Sequence, residues 1–196
     1  MTKAEKTKRF IVEKTALLFN VKGYAGTSLS DMTSATGLTK GSIYGNFSNK
    51  ESVALAAFDF SVQRVFDGLK KTQRMEASAF ENLSALFNFH KENWQDIALN
   101  GGCPLLNAAV EADDNLPFMK AAVQHSFILW SKRIVYLIEK GVKEKEFKAT
   151  VNSEELANTF IMLIQGGVLL SKMSSDSKHI VTAVQRIHLI IKEELL

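Results

Sequence analysis

Apolar residues recur along this chain at intervals of three and four, the spacing that gathers side chains into one stripe along an α-helix. A first helix is predicted from about Lys3 to Lys22, with Ile11, Thr15, Leu18 and Phe19 on one stripe and Gly23 ending it. From Ser28 to Thr36 a short second helix carries Leu29, Met32 and Ala35 at helical spacing, and Gly37 closes it because glycine accepts left-handed backbone. Thr39, a good N-cap, opens a third helix, whose Ile43 and Phe47 give it one apolar side to rest on the second. Its opposite side presents Lys40, Gly41, Ser42, Tyr44 and Asn46. Ser48 and Glu51 then read as a capping box that starts a long helix, about Asn49 to Arg74, immediately behind. Further helices are predicted from Ala77 to about Trp94, through LLNAAVEA after Pro104, from Pro117 to about Lys143, from Ser153 to about Met173 and from Ser177 to Leu196. Asp113, Asp114 and Asn115 read as a polar turn. Two prolines and 11 glycines in 196 residues fit an all-α chain with few turns.

Two short helices joined by a tight glycine-containing turn form the helix-turn-helix unit, whose second helix enters the major groove of DNA. Charge reinforces that reading. The first fifty residues hold eight Lys or Arg against three Asp or Glu, while the whole chain carries +3, so a basic end is joined to a mildly acidic remainder. Lys40 and Lys50, with the hydroxyls of Thr27, Ser28, Thr39 and Tyr44, are expected to hold phosphates. Ser42 and Asn46 are placed for base edges, and Gly41 permits close approach.

Linked motifs make this more specific. Residues 10 to 55 contain LF…KGY at the end of the first helix, TS opening the second, GLTKGSIYxxF through the third, and KE after it. This segment resembles the DNA-binding domain of the tetracycline-repressor family of one-component transcriptional regulators, over about a quarter of the chain. The resemblance implies a helix-turn-helix domain over residues 1–48 and a helical ligand-binding and dimerisation domain over 49–196. Thr33 and Thr36 stand where the family usually has alanine, which predicts slightly looser packing between the second and third helices.

In the larger part, the last two helices carry more apolar surface than one small core can hide. Phe160, Gly166 and Gly167 on one, with Val184, Ile187 and Ile191 on the other, are the expected contacts of a homodimer built as a four-helix bundle. The two glycines would each cost about 1 kcal/mol relative to alanine inside a helix, which close packing would offset. The resemblance implies the same dimer; the alternative is that the pair completes the core of one chain. Aromatic residues mixed with polar ones, namely Phe87, His90, Trp94, Cys103, Asn107, Phe127, Trp130 and Gln165, are the candidate lining of a small-molecule effector pocket, where the family binds inducers. Pro104 fits the first position of a helix, which makes Cys103 its N-cap and favours a reactive thiolate; the alternative is a small, inert core residue.

No phosphate loop, GxSxG or HExxH motif occurs, and Cys103 has no metal-ligand spacing with the four histidines, so neither an enzyme, a cofactor nor a metal is expected. No run of about 18 apolar residues is present and MTKAEKTKRF lacks the apolar core of a signal peptide, which predicts a cytoplasmic protein without membrane contact. Taken together these features predict a repressor that binds double-stranded palindromic operator DNA as a homodimer and releases it on binding a small molecule. The alternative from another class is an all-helical enzyme or interaction protein without specific DNA binding.

Overall fold

A computed structural model describes residues 1–114 and 116–196, and every regular element among the described residues is helical. The elements are α1 Lys3–Gly26, α2 Leu29–Thr36, α3 Lys40–Tyr44, α4 Lys50–Lys71, α5 Ala79–Glu92, α6 Trp94–Leu99, α7 Pro104–Asp114, α8 Pro117–Lys143, α9 Ser153–Ser174 and α10 Lys178–Ile190, followed by a π-helical turn over Ile191–Leu195. The predicted polar turn includes Asn115, which lies outside the described residues; Asp113 belongs to α7.

Local chemistry sets the boundaries. Thr2 and Glu5 form a capping box at the start of α1, and Gly23, at φ +73°, breaks its regular winding one turn before Gly26. The cap of α4 is not the predicted Ser48–Glu51 pair. Asn49 Oδ1 accepts the Ser52 N–H at 2.8 Å and Ser52 Oγ accepts the Asn49 N–H at 3.2 Å, one residue later than expected. The helix predicted from Ala77 to Trp94 is shorter. It starts behind the Ser78–Glu81 capping box, where the Glu146 carboxylate also accepts the N–H groups of Ala79 and Phe80. Asn93 ends it by donating its side-chain amide to the Phe89 carbonyl at 2.9 Å, and α6 restarts at Trp94.

The described chain divides into two compact units, Met1–Val65 with Asn100–His125, and Phe66–Leu99 with Ser126–Leu196. The expected boundary between residues 48 and 49 therefore marks the end of the short helices but not of a compact body. In the first unit Val53 of α4 joins Ile11, Val12, Met32, Ile43 and Phe47 in one cluster, and Ala54 and Ala57 of α4 are also buried. α7 packs on α1 in the same unit through a polar clasp. Asn107 donates to the Asn20 backbone carbonyl and Oδ1 (3.0 Å each) and to the Gly101 carbonyl (2.8 Å), while the Glu111 carboxylate accepts the Tyr24 N–H at 2.8 Å.

In the second unit α9 and α10 pack along each other. A Cβ on Gly167 would lie 2.9 Å from the Ala183 Cβ and 3.1 Å from the Ile180 Cα, so glycine is what lets these helices approach. Ser171 Oγ accepts the Ile180 N–H at 2.9 Å across the same seam. Phe87 of α5 meets Phe160 of α9 edge to face, with ring centroids 5.1 Å apart. With a mean hydropathy of 1.3, α9 is long and apolar enough to cross a bilayer, and half of that stretch is buried within the chain.

Candidate functional site

The α2–turn–α3 segment is fixed by side chains that satisfy its exposed helix ends. Ser28 Oγ accepts the Asp31 N–H at 3.1 Å, and the Asp31 carboxylate in turn accepts the Ser28 N–H and hydroxyl at 2.7 Å each. Lys22 reaches the same carboxylate at 2.6 Å, and this bond, with those from Ser28, holds the Asp31 carboxyl well below the usual range. At the turn, Gly37 takes φ +69° and donates its N–H to the Thr33 carbonyl at 2.8 Å. Thr36 does what alanine could not. Its hydroxyl donates to the Met32 carbonyl at 2.7 Å and accepts the Leu38 N–H at 3.2 Å, fastening the chain on both sides of Gly37. Thr36 is only 7% exposed, whereas Thr33 is half-exposed.

Thr39 caps α3 by accepting the Ser42 N–H at 3.2 Å. Ile43 and Phe47 turn inward and are buried, while Thr39, Lys40, Gly41 and Gly45 are exposed and Ser42, Tyr44 and Asn46 half-exposed. α3 thus offers one ammonium, several hydroxyls and two side-chain-free positions on a single solvent face. Ser28 is also exposed, at the start of α2. Asn46 donates one N–H of its side-chain amide to the Ser42 carbonyl at 2.9 Å, which leaves its second N–H and its carbonyl oxygen for a partner.

Two residues assigned to phosphates have other partners. Thr27 is wholly buried and its hydroxyl donates to the Gly23 carbonyl at 2.7 Å, so it closes the end of α1 instead of facing solvent. Lys50 is half-buried, donates to the Tyr24 carbonyl and sits 4.1 Å over the Tyr24 ring. Burial pushes its pKa down, against the opposing charges of Glu111 and Asp31. Lys50 joins α4 to the end of α1, which leaves Lys40 as the exposed cation of the α3 face. Glu111 and Asn107 support this unit from α7, and no local pattern announces contacts made 87 residues away.

The candidate effector residues are divided between the two units. Cys103 and Asn107 belong to the first unit: Cys103 is half-buried at the start of α7, and the Asn107 amide is committed to α1 and Gly101. The other six belong to the second unit. There Phe87, His90, Trp130 and Gln165 are buried, whereas Trp94 and Phe127 are half-buried. His90 stacks on Trp130 at 5.8 Å between ring centroids and 25° between planes, and the Phe89 ring meets His90 edge-on. Burial lowers the His90 pKa to about 4; the Leu86 carbonyl pulls it the other way without making a hydrogen bond of good geometry to Nδ1. None of the eight lines a separate groove of about 840 Å³ between α5 and α10, bordered by Phe80, Ser84, His188, Leu189 and Lys192. Among the described residues no three His, Cys, Asp or Glu side chains converge as metal ligands.

The dimer candidates are corrected in detail. Phe160, Val184, Ile187 and Ile191 are at most 1% exposed and Gly167 is pressed against α10, so these five already fill the core of one chain. Gly166 is different: a Cβ there would meet nothing within 4 Å. Around it Met162, Leu169, Leu170 and Met173 leave an apolar stripe on the outside of α9, from 44% to 75% exposed.

Comparison with known proteins agrees with this architecture. Residues 11–57 match the model of bacterial regulatory proteins of the tetR family, and residues 79–187, more than half of the chain, match the tetracyclin repressor-like C-terminal domain. The chain belongs to the TetR family. A TetR-family regulator from Cytophaga hutchinsonii is 37% identical with a TM-score of 0.93, covering 100% of this chain and 98% of that one. Another, from Chloroflexus aurantiacus, is 32% identical with a TM-score of 0.94 over the same shares. The transcriptional repressor DhaR of Mycobacterium sp. strain GP1 is 27% identical over 173 residues, 86% of this chain and 84% of its own. As a TetR-family member the protein is a DNA-binding transcriptional regulator with an N-terminal helix-turn-helix, and not an enzyme.

Proposed function

We propose that the protein is a cytoplasmic, dimeric repressor that holds a palindromic operator through α3 of each subunit and lets go when a small molecule binds in the second unit. The observation that carries the DNA part is the solvent face of α3, where Lys40, Ser42, Tyr44 and Asn46 stand together over the buried Ile43 and Phe47. Lys40, with Ser28, Thr39 and the Tyr44 hydroxyl, takes phosphates; Ser42 and Asn46 take base edges. That the DhaR relative is a repressor supports the sign of regulation.

The dimer reading is supported by the apolar stripe of Met162, Leu169, Leu170 and Met173 flanking Gly166, a surface one chain leaves in water and a second copy would cover. Two-fold symmetry then sets two recognition helices about 34 Å apart, one turn of DNA, or a multiple of it. An effector that prefers the subunit arrangement with another separation releases DNA with a coupling of about 1–3 kcal/mol. The test is electrophoretic mobility of the protein's own promoter with wild type and Gly166→Leu. Wild type shifts the DNA as a dimer; the variant sediments as a monomer and loses the shift. An intact, operator-competent dimer in the variant contradicts the interface.

A further inference from the structure

Some buried polar groups in the second unit are satisfied by the chain itself, whereas Ser84 Oγ, Asn88 Oδ1, His90 Nδ1, Trp130 Nε1 and His188 Nε2 have no hydrogen bond of good geometry. Asn82 accepts the Arg74 N–H and donates to the Arg74 and Ala77 carbonyls, and Ser171 accepts the Ile180 N–H. Of the residues left without such a bond, His90 on α5 and Trp130 on α8 are the two that lie side by side on stacked rings. They are 5% and 4% exposed, their rings stack 5.8 Å apart, and neither His90 Nδ1 nor Trp130 Nε1 has a hydrogen-bond partner. Two polar atoms on adjacent interior rings that the chain itself does not satisfy are a cost that folding ordinarily avoids, and one that a function can justify.

The chemistry of the two atoms restricts what could satisfy them. An indole N–H only donates, so its partner must be an acceptor. The imidazole is neutral near pH 7, since burial holds its pKa near 4, and offers one donor and one acceptor. The buried polar side chains of this unit are Asn82, His90, Ser126, Gln165 and Ser171, none of which carries a charge in that state. An ionised ligand there would be left without a countercharge. The surroundings of the two nitrogens are aromatic, with the rings stacked on each other and Phe89 edge-on to His90, and suit an apolar body.

We propose that Trp130 and His90 are the polar anchor of the effector site and that the effector is an uncharged, largely apolar small molecule bearing a hydrogen-bond acceptor such as a carbonyl oxygen. The acceptor takes the Trp130 indole N–H, and His90 Nδ1 is its second contact. This rests on the reading of the second unit as the effector-binding part of a DNA-binding regulator.

The experiment uses four probes on one ring system: 2-acetylnaphthalene, naphthalene, 2-naphthoate and 2-naphthylmethylammonium. Binding to the full chain is followed by the indole N–H resonances, of which Trp130→Phe identifies the Trp130 signal, and operator retention is measured on the same samples. The neutral ketone is expected to move the Trp130 indole proton downfield and to bind at least tenfold more tightly than naphthalene and than either ion. Trp130→Phe should remove its advantage over naphthalene. Equal binding of ketone and naphthalene, preference for an ion, an unmoved indole signal or no binding by any probe overturns the proposal. Should Trp130→Phe fail to fold, the indole shift and the four-probe ranking in wild type still decide. Operator release by a compound outside this class would sink this inference alone, whereas failure to hold operator DNA in any state would sink the regulator reading beneath it.

Discussion

At the scale of single residues, the structure explains why some groups face solvent and others that look equivalent do not. Thr27 and Lys50 have the composition of phosphate ligands, yet their partners are the Gly23 and Tyr24 carbonyls. The Lys50 contact spans 26 residues and is invisible to a local pattern. Lys40 has no such competitor, so Lys40→Ala should weaken DNA binding across sequences and flatten the salt slope by about one unit in a titration of affinity against salt. Asn46→Ala should instead change base preference, because its amide keeps one N–H and its oxygen to read with. His90 makes a pH-dependent contribution whose sign follows from its burial. Its folded pKa, about 4, lies below the ordinary 6.5, so the unfolded chain binds the extra proton and the contribution is lost as pH falls from 6.5 towards 4. Urea unfolding should show wild type losing about 2–3 kcal/mol more than His90→Phe between pH 7.5 and 4.5; equal losses would contradict the buried neutral ring.

At the scale of elements, spacing placed the long helices well because each has to bury a stripe. Pro117 and Ser153 start α8 and α9 at the predicted residues. The misses are of a different kind. Ser48 and Asn49 are both good N-caps, and the reciprocal bonds of Asn49 with Ser52 are the ones that form. α6 is short, its residues are at most half-buried, and its sequence has too few turns to show a stripe. Gly166 and Gly167 are neighbours in sequence and opposites in structure, since a helix turns about 100° between them. Gly167→Ala must push against the Ile180 backbone and should destabilise the folded chain by about 1–3 kcal/mol without loss of dimerisation in the fraction that folds. Gly166→Leu should leave the fold of one chain intact and act on association. Matching effects of the two substitutions on both thermal unfolding and sedimentation would show that the two sides of α9 have been misassigned.

At the scale of the whole molecule, the all-α architecture and the DNA-reading segment were legible in the sequence, because the apolar spacing of α1 to α3 and the chemistry of the turn around Gly37 are local. The division into compact units was not, since residues 100–125 join the first unit through Asn107 and Glu111 and nothing in their own composition says so. Nor was the split of the effector candidates, which follows from that same long-range packing. The central claim is that the solvent face of α3 binds operator DNA. Its most direct test is the affinity of the promoter of the protein's own gene for wild type and for a Lys40→Ala/Tyr44→Phe double variant, in which the buried Ile43 and Phe47 are kept and Phe preserves the ring. The account predicts a loss of about tenfold or more at moderate salt with unchanged helicity and thermal stability. Undiminished affinity in a folded double variant would contradict it.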